Sequence, residues 1–357
     1  MHIYLLTSLS LVFFGLIYES INSVTVTKYK KTTPIFFFTV PSFILLFIIS
    51  TFRGDFTTDY KNYTNLFYLY NKFSFSELLN DRFVNEIGFI YSNKIIGQFT
   101  DNAVFIFAFM SFIILFGYFY HIKKYSNNVW LSVLMFATVG SYYASFNISR
   151  HIFAVAIIFW GSKFLYERKF IKWILVVIIS SLFHKTALIM IPFYFILNLR
   201  ITFRNWLFII IGSVITLFLF DNIMSIGQQL FYEQYNEDSY GMWGQAITNV
   251  VLPVSLLIFS LFNVNKINSN NIIHRVWFNA GVFYAFFNIL GLKIEMVSRL
   301  GLFFAPYSLL LIPYLFSMIN NKNLRFAYTV SIIFLFILYN YVVLSNSVFD
   351  PYYFHWS

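Results

Sequence analysis

The sequence predicts an all-α polytopic integral membrane protein of about 11–12 transmembrane segments, a single transmembrane domain over residues 1–357. Three observations lead there. The 357 residues are 59% hydrophobic and only 11% charged, whereas soluble domains carry about 25% charged residues. So few polar groups cannot cover a soluble surface, and the solvent is lipid. Apolar runs approaching the ~20 residues that carry a helix across about 30 Å of hydrocarbon recur along the whole chain. When these runs alternate across a bilayer, the basic residues sort to one side.

The runs fall at 2–20, 34–51, 101–121, 129–148, 152–166, 205–220, 246–263, 274–292, 300–319 and 326–345. The first lacks a basic n-region and a small-residue cleavage site, so it reads as a retained helix. Residues 52–100 form a long external segment, in which SELLNDRFVNEIGFIYSNKIIGQF is expected as an amphipathic helix at the interface. Residues 173–198 are too long for one crossing and hold His184-Lys185 at their middle. A charged pair at mid-bilayer depth is expensive, so two short helices, 173–183 and 186–198, are expected to dip in and return. A second external loop, 221–245, is acidic and aromatic. With the N-terminus outside, inner loops hold 15 of the 24 basic and two of the 14 acidic residues, leaving nine and 12 outside. A single crossing at 173–198 would move Arg200 and Arg204 outside and flip every later loop.

The chain has no cysteine, which excludes disulfides and thiolate chemistry. The net charge of +10 is explained by cytoplasmic loops, and no nucleic-acid partner is expected.

Five separate stretches bring charge to one depth on the outer side: Arg53, Asp55, Asp59 and Tyr60; Glu86; Arg150 and His151; His184 and Lys185; Glu295 and Arg299. Ionisable groups beside membrane helices are usually paired or functional. Arginine forks suit phosphate, and carboxylates or histidine can take a proton from an attacking hydroxyl. Together they point to a pocket for an anionic, phosphorylated lipid with a base nearby. Plainer roles stand beside each. Arg53 and Asp55 can close a helix as a local ion pair. Glu86 can belong to a solvated face, Arg150 can anchor at the interface, and Glu295 can pair with Arg299 at i,i+4. His151 more often satisfies a backbone carbonyl, and His184 can be a structural hydrogen-bonding group. Asp55 and Asp59, four apart, lack a third ligand, so no metal is assigned.

Four motifs carry a resemblance: R-G-x-F-x-x-D-Y-x-x-Y at 53–63, N-E-x-G-F at 85–89, F-N-x-x-R-x-x-x-A at 146–154 and F-H-K-T-A-L at 183–188. In order and spacing the sequence resembles the EpsG family, within the wider Wzy group of polysaccharide polymerases, from the first helix to about residue 200 and more weakly afterwards. His151 departs from the Gln common after that arginine, and it is not taken as catalytic. The resemblance implies a GT-C-like membrane glycosyltransferase of the metal-independent branch, without cofactor or nucleotide sugar. It implies a place in the bacterial inner membrane, with the active site facing the periplasm or outside. The substrate would be oligosaccharide repeat units on undecaprenyl diphosphate, joined into a surface polysaccharide, with a chain-length regulator as a further partner. On that reading Arg53, Arg150 and Arg299 hold diphosphate. His184 or Glu86 is the base or holds the acceptor, and Asp59 and Tyr60 shape the sugar site. A ligase passing glycan to another acceptor shares the donor chemistry. A flippase would need charge along a path open to both sides, and a membrane acyltransferase would favour a His with a carboxylate four residues on, which neither His151 nor His184 has.

Overall fold

The computed structural model describes residues 2–25, 33–79, 86–139, 141–218, 247–345 and 351–355. The chain is an all-α polytopic membrane protein. Among the described residues every regular element is helical, and one isolated β-bridge joins Arg53 to Phe354. The helices are α1 (His2–Thr25), α2 (Thr33–Thr51), α3 (Thr58–Asn71), α4 (Ile87–Ile96), α5 (Val104–Tyr125), α6 (Val129–Thr138), α7 (Ser141–Asn147) and α8 (Ser149–Tyr166). They continue with α9 (Phe170–Ser181), α10 (Met190–Leu197), α11 (Phe203–Phe218), α12 (Thr248–Phe262), α13 (Ile272–Leu290), α14 (Glu295–Gly301), α15 (Ala305–Ser317) and α16 (Lys322–Ser345).

Four described stretches are long and apolar enough to cross a membrane: Ile3–Ile21, Val104–Tyr125, Val129–Asn147 and Lys322–Leu344. The pair α14 and α15, bent by 51° where they meet, makes a fifth as a broken span. Other apolar helices are shorter, among them Ile35–Thr51, Phe170–Ser181, Lys185–Leu197 and Asn249–Phe262. Two runs expected as continuous helices are interrupted. The run 129–148 divides into α6 and α7. The run 300–319 turns at residues 302–304, after which Pro306 sits in the first turn of α15, where its missing N–H breaks no intrahelical bond.

The segment 52–100 is divided into several short elements. It opens with α3, continues through a short 3-10 turn at Glu77–Leu79, and ends in α4. The expected amphipathic helix is thus represented by two short pieces, with residues 80–85 outside the described set, as is the whole predicted loop 221–245. Helix α3 starts at Thr57, whose hydroxyl accepts from the Tyr60 amide at 3.3 Å. It buries Tyr60, Tyr63, Phe67 and Tyr70, an aromatic stripe at helical spacing.

Helix α8 is the centre of the bundle and is buried along most of its length, as its all-round apolar composition requires. Small residues let its neighbours close on it. A Cβ at Gly117 of α5 would lie 2.9 Å from the Ala156 carbonyl, and one at Gly161 would lie 2.4 Å from Val176 of α9. The Ser180 hydroxyl donates to the Ala154 carbonyl at 2.9 Å, and Ser162 and Tyr307 share a 2.7 Å hydroxyl bond. These ties matter because an unpaired polar group in a dry interior is costly.

Helices α9 and α10 are separated by the turn at residues 182–184 and a 3-10 segment, Lys185–Ile189. Trp173 Nε1 donates to the Met190 carbonyl at 2.9 Å and ties the two arms together. Residues 351–355 return to the loop after α2. Gly54 N donates to the Tyr353 carbonyl at 2.7 Å, His355 N to the Phe52 carbonyl at 2.9 Å, and the Tyr352 hydroxyl to the Ile49 carbonyl at 2.8 Å. A Cβ at Gly54 would fall 2.2 Å from the Tyr353 ring, so any other residue here must displace that ring.

Candidate functional site

A cavity of about 420 Å³ lies where four distant stretches meet, a size usual for small-molecule sites. Helix α3 supplies Asp59, Asn62, Tyr63, Asn65, Leu66 and Leu69. The α7–α8 junction supplies Ile148, Arg150 and His151, the turn before residue 185 supplies His184, and α14 supplies Met296 and Arg299. One wall is therefore a face of α3 that runs from a carboxylate through two amides to two leucines.

Glu86 joins two of these residues. Its Oε1 lies 2.7 Å from His184 Nδ1, and its Oε2 accepts from Arg150. Both contacts depend on local backbone. Glu86 caps α4 in the left-handed conformation, φ 61°, which costs a non-glycine residue about 1–2 kcal/mol and marks a site held by its surroundings. Gly88 N donates to the Leu182 carbonyl at 2.8 Å. A Cβ there would lie 3.0 Å from Leu182 and from the Phe183 ring, so glycine lets α4 dock on the turn that carries His184. Phe89 is buried, and the Arg150 guanidinium lies 5.2 Å from its ring and 5.3 Å from that of Tyr63, within cation–π reach. Phe183 packs on Phe153 of α8 with ring centroids 4.3 Å apart.

The electrostatics follow from this packing. Burial pushes the Glu86 carboxyl up, but the His184 hydrogen bond and the Arg150 charge outweigh burial and hold it below the usual range. Burial raises Asp59, against the Tyr63 hydroxyl, which donates to Oδ2 at 3.2 Å, and the charges of Arg150 and Arg299. His184 Nδ1 faces a carboxylate oxygen, which can only accept, so the proton sits on that nitrogen and in the neutral ring Nε2 is the acceptor. Arg299 is half-buried, and among the described residues no carboxylate lies within salt-bridge distance of it. Glu295 is exposed and does not pair with it.

Of the residues singled out in the sequence, Asp59, Arg150, His184 and Arg299 line the cavity, and Glu86 holds two of them. Three others, Arg53, Asp55 and Tyr60, stand apart from the cavity lining. Arg53 is 2% exposed, with its guanidinium 4.8–5.5 Å from the rings of Phe107, Phe146 and Tyr60. It donates to the Ser50 carbonyl, to the Phe146 carbonyl at 3.4 Å and to the Ser149 hydroxyl at 3.3 Å. Its two terminal nitrogens face backbone and a neighbouring side chain, and it lies outside the cavity lining. Tyr60 is buried, stacked on Phe107 at 4.1 Å. Asp55 is exposed and accepts from the Tyr353 hydroxyl, with Lys61 3.5 Å away. These residues build the site from outside it. Arg53 and Thr57, whose hydroxyl donates to the Phe146 carbonyl at 3.1 Å, tie the loop to the α7–α8 junction that presents Arg150.

Asn62, Asn65, Tyr63 and His151 were missed or set aside as site residues. The aromatic period of α3 was the available signal for the first three, because it fixes which face is buried and which is free. Among the described residues, no group of three or more His, Asp or Glu is placed to hold a metal ion. No curated protein and no solved structure matches the chain. The sequence pattern of one family does match, and it runs well past residue 200, where the motif resemblance weakens, so that α14 and Arg299 lie inside it. Matched over residues 35–354, the chain belongs to the EpsG family.

Proposed function

We propose that this chain is a membrane glycosyltransferase that polymerises lipid-linked repeat units. It would transfer a growing glycan from undecaprenyl diphosphate to a hydroxyl at the non-reducing end of the next lipid-linked unit, on the outer face of the cytoplasmic membrane. Family membership supports a polysaccharide-polymerase-type role in general; donor, acceptor and side of the membrane are this reading's own. The observation that carries it is the Arg150–Glu86–His184 chain at a cavity that also holds Arg299.

In the reaction the bond from the sugar anomeric carbon to the diphosphate oxygen breaks, and the leaving lipid diphosphate keeps the electron pair. A new bond forms from that carbon to the acceptor oxygen, whose proton passes to His184 Nε2. Arg150 and Arg299 stabilise the charge that develops on the departing diphosphate. Glu86 is a poor proton acceptor here, since both its oxygens are engaged and its acidity is raised. It orients the imidazole instead, much as a carboxylate orients the base of a catalytic triad. The leucines and Met296 offer an apolar border to a lipid-linked substrate.

The test is extension of lipid-linked repeat units by purified protein in proteoliposomes, read as a ladder on a gel. Arg150→Ala is expected to abolish the ladder while leaving transfer of single units to a cell-surface acceptor intact in cells. His184→Ala is expected to insert and accumulate normally but to run about 10²–10⁴-fold slower. A ladder of normal length from Arg150→Ala overturns the reading. Delivery of glycan to an acceptor other than a repeat unit, without a ladder, makes the protein a ligase.

A further inference from the structure

His151 carries polar atoms that the protein leaves unsatisfied. It is 3% exposed on α8, next to Arg150, and forms part of the cavity wall. Among the described residues neither ring nitrogen makes a hydrogen bond of normal geometry, although the Arg299 backbone lies close enough to interact with the ring. The ring is nevertheless held in place, edge-on to His184 at 4.8 Å and tilted against Phe303 at 4.8 Å. A buried donor or acceptor left unpaired costs about 1–3 kcal/mol, and folded proteins rarely tolerate one without a reason. An apolar ring would pack in the same slot without that penalty. The nitrogens therefore point to something that enters the cavity.

We propose that His151 is a specificity-determining residue, which hydrogen-bonds the acceptor sugar at the hydroxyl beside the one that attacks. The inference rests on the glycosyl-transfer reading. Two imidazoles 4.8 Å apart suit two neighbouring hydroxyls on one sugar ring. His184 takes the proton of the attacking hydroxyl, and His151 holds its neighbour, so that only one oxygen reaches the anomeric carbon. A site built around such a bond rejects an acceptor without the hydroxyl, because the imidazole is then buried unpaired.

The experiment measures kcat and KM for acceptor in proteoliposomes, with the natural repeat unit and with an analogue deoxygenated beside the attacking position. Wild-type protein is expected to use the deoxy acceptor at least tenfold less well in kcat/KM. His151→Phe keeps a flat ring in the slot. It is expected to raise KM for the natural acceptor about tenfold, with kcat within about threefold, and to lose the discrimination. His151→Gln, which restores a donor and an acceptor, is expected to recover most of both. A deoxy acceptor as good as the natural one in wild-type protein overturns the proposal without any substitution. So does a His151→Phe variant with unchanged KM and unchanged discrimination, which would mean that water alone satisfies the ring. A kcat loss as deep as that of His184→Ala, at constant KM, would make His151 part of the proton path and not a specificity residue. Absence of any ladder from wild-type protein would sink the polymerase reading and this inference together, whereas a ladder with an indifferent His151 sinks this inference alone.

Discussion

Arg53 and Arg150 sit near each other in space, each is carried by a motif, and each lies against aromatic rings, yet their surroundings separate them. Arg53 is enclosed by three rings and spends its donors on two carbonyls and a serine hydroxyl. Arg150 has 30% of its side chain exposed, lies at the cavity, and meets a carboxylate that also holds a histidine. A guanidinium whose two terminal nitrogens end on the protein's own carbonyls and a hydroxyl, inside a cage of rings, is placed to fix geometry. One paired with a carboxylate at an open wall still has donors to offer a phosphate. The lesson is that an arginine near a site earns a role by what its second nitrogen faces, not by its proximity.

The sharpest way to break this comparison is to replace each arginine in turn. Arg53→Ala leaves carbonyls and a hydroxyl short of a donor in a buried space, at about 1 kcal/mol or more each. The expected loss of about 3 kcal/mol lowers Tm by roughly 6–12 °C, measured in detergent, and Arg53→Lys does not restore it because lysine lacks the planar fork. Arg150→Lys, which keeps a charge beside the Glu86 carboxylate but loses the planar fork, is expected to hold Tm within about 3 °C while extension falls about 10²-fold. An Arg53→Ala protein with wild-type Tm and no extension would erase the distinction and return Arg53 to the substrate.

Gly88→Ala tests the link between α4 and the His184 turn. Its Cβ would meet the Leu182 carbonyl at 3.0 Å, so α4 must move by a few tenths of an ångström. Extension is expected to drop about tenfold, since small displacements of a positioned group are costly to rate. Unchanged activity would show that Glu86 does not need this docking. The smallest effect is expected at Asp59. Burial holds its acidity weaker than usual, so its charged form works against the fold. That cost is absent below the unfolded carboxylate range near pH 4, grows as pH rises toward the folded value, and is constant above it. Asp59→Asn is expected to raise Tm by about 1–2 °C at pH 7 and by nothing at pH 3. An equal shift at both pH values would mean that something other than charge burial governs the site.

The membrane class was readable from composition, because 59% apolar residues leave no other solvent. Glu86, Arg150, His184 and Arg299 stood out because each interrupts or ends an apolar run; the last three line one cavity, and Glu86 holds Arg150 and His184. What was not readable depends on partners far along the chain. The enclosure of Arg53 is made by Tyr60, Phe107 and Phe146, which come from three helices. His151 reads as an ordinary histidine beside an arginine, because a missing hydrogen-bond partner is a property of tertiary structure alone. Helix α3 was hidden by its polarity. TDYKNYTNLFYLYN is too hydrophilic to cross a bilayer, and it was absorbed into a loop, although Tyr60, Tyr63, Phe67 and Tyr70 already beat a helical period.

The pairing of Gly54 with Tyr353 sets a clock on biosynthesis. Asp55 and its hydroxyl partner are 298 residues apart, and a ribosome working at about 5–20 residues per second needs roughly 15–60 s to supply the second after the first. For that interval the segment that braces Arg150 lacks its brace, and the nascent bundle must wait in the bilayer with its cavity unfinished until the last strap is made.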